Sequence, residues 1–261
     1  MVDSQASVPF RISLRARPCA SGPGWSEHFL DKRAERVASA ELALESGYSV
    51  VSLKGLATLA ECDSVRGAAS LIAKSERIAA AEQPSASRWY SPDNPGRVRF
   101  PVMADALLGD ADQELCDALL VRATARLSEI FPTLILKLFR DALGTTIARN
   151  SRLAFSPQEP AINVYEFGGR FRPHKDDEAL TVLLPLSSSD MFAGGGTAFW
   201  SVDDLDPVRP CTPTSAQPTL VLLPPAGTAL IFTGAVTHAA AVVTSGERAV
   251  LVASFSLIPS Q

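Results

Sequence analysis

Three histidines occur in the 261 residues, His28, His174 and His238, and two of them stand in apolar, strand-like sequence. His174 precedes Asp176 by two positions, in Pro173-His174-Lys175-Asp176. On an extended backbone, residues two apart point to the same side, so an imidazole nitrogen and a carboxylate oxygen can reach one ion. A third donor must then come from a separate strand, and His238 is placed to supply it. Two imidazoles and one carboxylate form the donor set of a non-haem iron centre, which leaves the opposite coordination positions open for reactants. Asp177 and Glu178 are alternative carboxylates. Asp176 is preferred because only the two-residue step keeps it beside His174 on a continuing strand.

Each of these residues also has a plainer reading. A single histidine in an apolar strand is commonly a hydrogen-bonded core residue, and an aspartate after His-Lys is commonly a turn residue. Arg248, ten positions after His238, adds a second chemical element: a cation at the start of a final apolar strand. Counting by twos from Arg248 reaches Val250, Val252 and Ser254, so Arg248 and Ser254 share one strand face. The same alternation puts Asn163 and Tyr165 on one face of an earlier strand. His28, within Ser26-Glu27-His28-Phe29-Leu30-Asp31, reads as a surface residue.

Beyond these positions, an ordered series of fragments resembles the iron(II)- and 2-oxoglutarate-dependent dioxygenases, most closely the prolyl-4-hydroxylase-like branch. The fragments are Asn163-Val-Tyr165, Gly168, Phe171, Pro173-His174-Lys-Asp176, Leu180 to Leu186, Gly194-Gly-Gly-Thr-Ala-Phe199, Gly227 to Phe232, His238, Val243 and Gly246-Glu-Arg248. They cover roughly 161–257. The resemblance implies an α+β protein with a double-stranded β-helix core, a cupin-like jelly-roll, buttressed by N-terminal helices. It implies Fe(II) on His174, Asp176 and His238, and 2-oxoglutarate as cosubstrate with its far carboxylate on Arg248. An arginine stands where the branch often has lysine, and its planar fork can make two hydrogen bonds to one carboxylate.

Asn163, Tyr165, Thr181 and Ser254 are the further candidates for holding the cosubstrate. The implied reaction consumes O2 and 2-oxoglutarate, releases succinate and CO2, and hydroxylates an unactivated C–H bond; ascorbate is a further candidate cofactor. The carboxylate at Asp176 argues against the halogenating members. Substrate loops vary, and a small molecule or amino acid is preferred over a peptide because no appended peptide-binding module is seen. Two other classes stay open: a cupin-like metal enzyme that does not use 2-oxoglutarate, and a non-catalytic binding barrel.

Composition sets the outer bounds. A chain of 261 residues with 46% hydrophobic residues and a net charge of -4 can bury a substantial core and offers no broad basic surface for nucleic acid. Cys19, Cys62, Cys116 and Cys211 are widely spaced and form no Cys-x-x-Cys pair, which suits a reducing compartment. No apolar run approaches membrane-spanning length. A cytoplasmic location is expected, with an organelle-targeting leader as the alternative, since Arg11, Arg15 and Arg17 occur among serines with few acids.

The positioning elements follow from hydrophobic period and punctuation. Residues 1–160 are expected to form a support region of helices and strands, and 161–261 the catalytic core, in one globular unit. A short strand is expected over Val8 to Leu14, an amphipathic helix from Trp25 to Ser46, a strand over Tyr48 to Leu53 and then a helix carrying Leu59, Cys62, Val65, Ala69 and Ile72. Gln83 to Pro101 reads as a loop whose two aromatics, Trp89 and Tyr90, either contact substrate or plug the loop onto the body. Helices follow at Asp112 to Ile130 and Thr133 to Leu143. Core strands are expected at Ile162 to Phe167, Arg170 to His174, Leu180 to Leu186, Thr197 to Trp200, Thr219 to Leu223, Ala229 to Phe232, His238 to Val243 and Arg248 to Leu257. Gly194-Gly195-Gly196 could support a tight turn or a close ligand approach, and the turn is the more economical reading. The segments 83–101 and 201–218 are candidate lids.

Overall fold

A computed structural model of the protein describes residues 10–14, 27–29, 34–83, 87–104, 107–201, 204–206, 208, 212–213 and 217–259. Fifteen strands and four helices lie among these residues, and every strand pairing is antiparallel. The larger sheet is built from β1 (Phe10–Ser13), β2 (Glu27–Phe29), β3 (Ser49–Leu53), β4 (Arg97–Pro101), β5 (Leu153–Phe155), β6 (Ala161–Tyr165), β8 (Leu180–Pro185), β12 (Ala229–Phe232) and β15 (Arg248–Leu257). Its order is β2-β1-β3-β12-β8-β15-β6-β4, with β5 also on β15. The smaller sheet has the order β11-β10-β13-β7, from β7 (Phe171–His174), β10 (Thr197–Trp200), β11 (Leu220–Leu222) and β13 (Thr237–Ala240). A separate pair joins β9 (Phe192–Gly194) to β14 (Val243–Gly246).

The large sheet buries both faces, which is why its central strands are nearly continuous runs of Val, Ile and Leu rather than alternating ones. Val182 and Leu184 of β8, with Leu251, Ala253 and Phe255 of β15, join the main core. Helices α2 (Leu59–Glu82), α3 (Asp110–Ile130) and α4 (Pro132–Phe139) complete that core with Val65, Ala69, Leu119, Ala123, Leu127 and Phe139. The alternate residues Leu183 and Val250 fall in a second cluster with Tyr165, Phe199, Leu220 and Phe232, where the two sheets meet. Period-two alternation thus sends one half of each strand to the helices and the other half to the space holding the histidines.

Helix α2 starts where the sequence places it because Thr58 and Glu61 form a capping box. Thr58 Oγ1 accepts from the Glu61 N–H at 3.2 Å, and Glu61 Oε2 accepts from the Thr58 N–H at 2.7 Å. Arg122 of α3 clamps the same carboxylate and also donates to the Leu56 carbonyl at 2.6 Å. Among the described residues no helix is long and apolar enough to cross a membrane.

Several boundaries differ from the sequence reading. The helix expected from Trp25 begins only at Ala34, as α1 (Ala34–Glu45), and Glu27–Phe29 is instead a strand paired with β1. Local periodicity carries no information on that distant partner. Helix α4 stops at Phe139, short of Leu143, because Arg140 takes φ +53 and breaks the helical path. The first core strand ends at Tyr165 and leaves Phe167 exposed before the turn at Gly168, whose φ is +79. The strand expected from His238 to Val243 divides after Ala240, since Val243 onward pairs with β9.

The reading of 83–101 as a lid-like loop is corrected. Arg97–Pro101 is the edge strand β4, hydrogen-bonded along β6, and Trp89 and Tyr90 are half-buried against the main core. Half of the candidate lid at 201–218 lies outside the described residues, as do Cys19, Cys211 and the side chain of His28. Cys62 and Cys116 are free and buried.

Candidate metal and ligand centre

His174 and His238 are direct cross-strand partners on β7 and β13. Their ring centroids stand 4.3 Å apart. Strand β7 ends at His174, so Asp176 is delivered by the bend that follows and not, as its spacing suggests, by the pleat of a continuing strand. Gly234 makes that bend feasible: a Cβ there would lie 2.3 Å from the Asp176 carbonyl oxygen and 2.2 Å from that of Glu178. Asp176 Oδ1 lies 3.5 Å from His174 Nε2, and Oδ2 lies 3.6 Å from His238 Nε2. One ligand atom from each of the three residues falls within 4.8 Å of the others, and a metal ion could be held among them. Asp177 and Glu178 line a different depression, beside Thr233 and Gly234.

The imidazoles are prepared for such a role by their far nitrogens. His174 Nδ1 lies 2.9 Å from the Arg172 carbonyl oxygen and His238 Nδ1 3.3 Å from that of Val236. A carbonyl only accepts, so Nδ1 carries the proton and Nε2 keeps the lone pair that a cation needs. Phe232 packs on His238 at 4.6 Å and Phe171 on His174 at 4.4 Å, fixing both rings. Burial pushes the His238 pKa down to about 4, against the opposing pull of Asp176, so the ring is neutral at physiological pH. Burial alone would raise Asp176. The nearness of His174, then of His238, and the hydrogen bond from Thr181 instead hold its carboxyl well below the usual range.

These side chains open onto a cavity that Asn163, Tyr165, Thr197 and Arg248 also line. Arg248 is 3% exposed, yet among the described residues its side-chain hydrogen bond is a 3.3 Å donation to Thr197 Oγ1, and no carboxylate pairs with it. Burial pulls its pKa below the ordinary value, with Tyr165 opposing. A desolvated cation without an anion is costly, and a ligand carboxylate would relieve that cost. Gly195, at φ +69, leaves the space that Arg248 uses: a Cβ would lie 3.2 Å from Arg248 Cδ and 3.0 Å from the Phe192 ring. The Gly194–Gly196 turn therefore has a packing role at the site as well.

Asn163 is 5% exposed, and its Oδ1 is buried with no hydrogen-bond partner. Thr181 and Ser254 are fully buried and do not line the cavity. Thr181 Oγ1 instead donates to Asp176 Oδ2 at 2.5 Å and lies 3.1 Å from Ser254 Oγ. Val250 and Val252 share the cavity wall with Arg248, as alternation along β15 requires.

Besides Thr197, two charged cavity residues were not singled out in the sequence. Arg99 of β4, directly opposite Asn163, pairs with Glu159 at 2.8 Å, and both line the cavity. Burial raises the Glu159 pKa against the pull of Arg99. Neither residue stands in a recognisable motif. The available signal was the alternation in Arg97-Val-Arg-Phe, whose Val98 and Phe100 face the core.

No family model matches the chain, and no curated protein matches it. Solved structures with which it shares similarity include a prolyl-4-hydroxylase from Pseudomonas putida, at 15% identity over 85% of this chain and 100% of that one, with a TM-score of 0.46. Another is the viral collagen prolyl hydroxylase of Paramecium bursaria Chlorella virus-1 in complex with 2-oxoglutarate, at 13% identity over 80% and 96% of the two chains, TM-score 0.46. A third is HygX from Streptomyces hygroscopicus with nickel, 2-oxoglutarate and hygromycin B bound, at 14% identity over 83% and 85%, TM-score 0.47.

Proposed function

We propose that the protein is an Fe(II)- and 2-oxoglutarate-dependent dioxygenase built on a double-stranded β-helix core. The observation that carries this reading is the convergence, on one cavity, of a His-Asp-His donor group and a buried arginine lacking an anion. When bound, iron and 2-oxoglutarate supply the oxidising chemistry: O2 and 2-oxoglutarate are converted to succinate and CO2 as a substrate C–H bond is hydroxylated.

The chain's own residues hold and orient. His174 and His238 offer Nε2, and Asp176 offers an oxygen whose orientation its neighbours fix. Arg248 binds the distal carboxylate of 2-oxoglutarate through charge-assisted hydrogen bonds, with Tyr165 beside it and Asn163 as a further polar contact. The apolar side chains Leu183, Val250 and Val252 line the same cavity and limit the water that reaches it. Hydroxylation of a small molecule or amino acid is the favoured reaction, and the Arg99–Glu159 pair sets two charged side chains in the same cavity lining.

The test is anaerobic reconstitution with Fe(II), followed by exposure to O2 and measurement of succinate formed from 2-oxoglutarate. Binding of 2-oxoglutarate is measured in parallel, since turnover without substrate is slow. Oxygen-dependent succinate supports the reading. Iron uptake without 2-oxoglutarate binding indicates a cupin-like metal enzyme, and binding of neither indicates a non-catalytic barrel.

A further inference from the structure

We infer that Thr181 is a positioning residue for the metal carboxylate, fixing the orientation in which Asp176 faces His174 and His238. The inference rests on reading His174, Asp176 and His238 as a metal centre. Thr181 Oγ1 lies 2.5 Å from Asp176 Oδ2. An ionised carboxylate only accepts, so the single Thr181 proton points at Oδ2. That bond fixes the rotation of the carboxylate while leaving each of its oxygens a lone pair toward the histidines.

The hydroxyl is itself held from behind. Ser254 Oγ is 3.1 Å from Thr181 Oγ1, and the two residues are register partners on β15 and β8. The Ser254 N–H donates to Glu159 Oε2, which ties this pair to the Arg99–Glu159 contact at the cavity. Thr181 and Ser254 are fully buried, so water cannot substitute for a missing hydroxyl without rearrangement. Asp176 sits beyond the end of β7, in an irregular stretch before the bend at 177–179 with no strand pairing of its own, and the Thr181 bond ties its carboxylate to the large sheet. Partners of metal ligands that fix orientation in this way commonly change metal affinity by about 10- to 100-fold when removed.

The experiment compares Co(II) binding by the wild-type chain, Thr181→Ser and Thr181→Ala, using calorimetry and the Co(II) absorption spectrum. Both variants lose the methyl group, and they differ only in the hydroxyl. Thr181→Ala is expected to bind Co(II) roughly 10- to 100-fold more weakly with an altered spectrum, and Thr181→Ser to stay within about threefold of wild type. Thr181→Val, which keeps the volume and lacks the donor, makes the same comparison if the alanine variant does not fold. Equal affinity and spectrum in the hydroxyl-free and hydroxyl-bearing variants, with wild type binding Co(II), overturns the positioning role alone. Failure of wild type to bind Co(II) overturns the metal centre and this inference with it.

Discussion

Arg248 on β15 is the direct cross-strand partner of Tyr165 on β6, and its guanidinium carbon stands 5.6 Å from the centre of the phenol ring. The ring face partly compensates a buried cation but does not neutralise it. Replacing Arg248 by Ala is therefore expected to weaken 2-oxoglutarate binding by roughly ten- to a hundredfold, the equivalent of about 1.5–3 kcal/mol for a hydrogen bond to a charged group. Metal uptake in the same variant should match wild type. Arg248→Lys should bind with intermediate affinity, because a single ammonium replaces a two-pronged donor.

Three glycines should respond differently to alanine. Gly234→Ala places a Cβ against two backbone carbonyls and is expected to displace Asp176, lowering metal affinity and costing roughly 1–3 kcal/mol of stability by overpacking. Gly195→Ala adds strain at positive φ of about 1 kcal/mol and crowds Arg248, so it should weaken 2-oxoglutarate more than metal. Gly67 lies inside α2, and nothing comes within 4 Å of the place its Cβ would take, so Gly67→Ala should gain about 0.5–1 kcal/mol. Thermal unfolding and the two binding titrations separate these outcomes.

Acid stability should depend on Glu61. Its hydrogen bond to Arg122, with that from the Thr58 backbone, lowers its pKa from 4.5 to about 2. A carboxylate whose folded-state pKa is depressed contributes stability that is fully present above its unfolded value, about 4.5, and is lost as pH falls toward about 2. Glu61→Gln should flatten the thermal midpoint against pH in that window. At neutral pH it should cost at most about 1 kcal/mol, the scale of a partly exposed ion pair, since Gln can still close the capping box.

Removing a metal ligand should leave the fold standing. His174→Ala, Asp176→Ala and His238→Ala are each expected to abolish stoichiometric iron binding while retaining wild-type circular dichroism. The main core on the helix face of the large sheet contains none of the three.

The site residues that could be read from the sequence are those whose chemistry admits few substitutes. Two histidines, a carboxylate two positions after one of them and a distant arginine carry their meaning in residue type and spacing. The central strands β8 and β15 were equally legible, since burial on both faces leaves long apolar runs. What escaped was set by partners remote in the chain. Arg97–Pro101 looks like the end of a Pro/Gly loop until β6 is beside it, and Glu27–Phe29 looks helical until β1 is. Thr181 could be placed on a strand face, but its hydrogen bond to Asp176 depends on a bend that Gly234 permits from the far side of the site.

The most direct measurement is calorimetric titration of 2-oxoglutarate into anaerobic protein, with and without one equivalent of Fe(II). Binding that requires the metal, and that is lost on changing His238 to Ala and weakened on changing Arg248 to Ala, is the expected result. A chain that takes up no iron, or that binds 2-oxoglutarate equally well without it, would contradict the account.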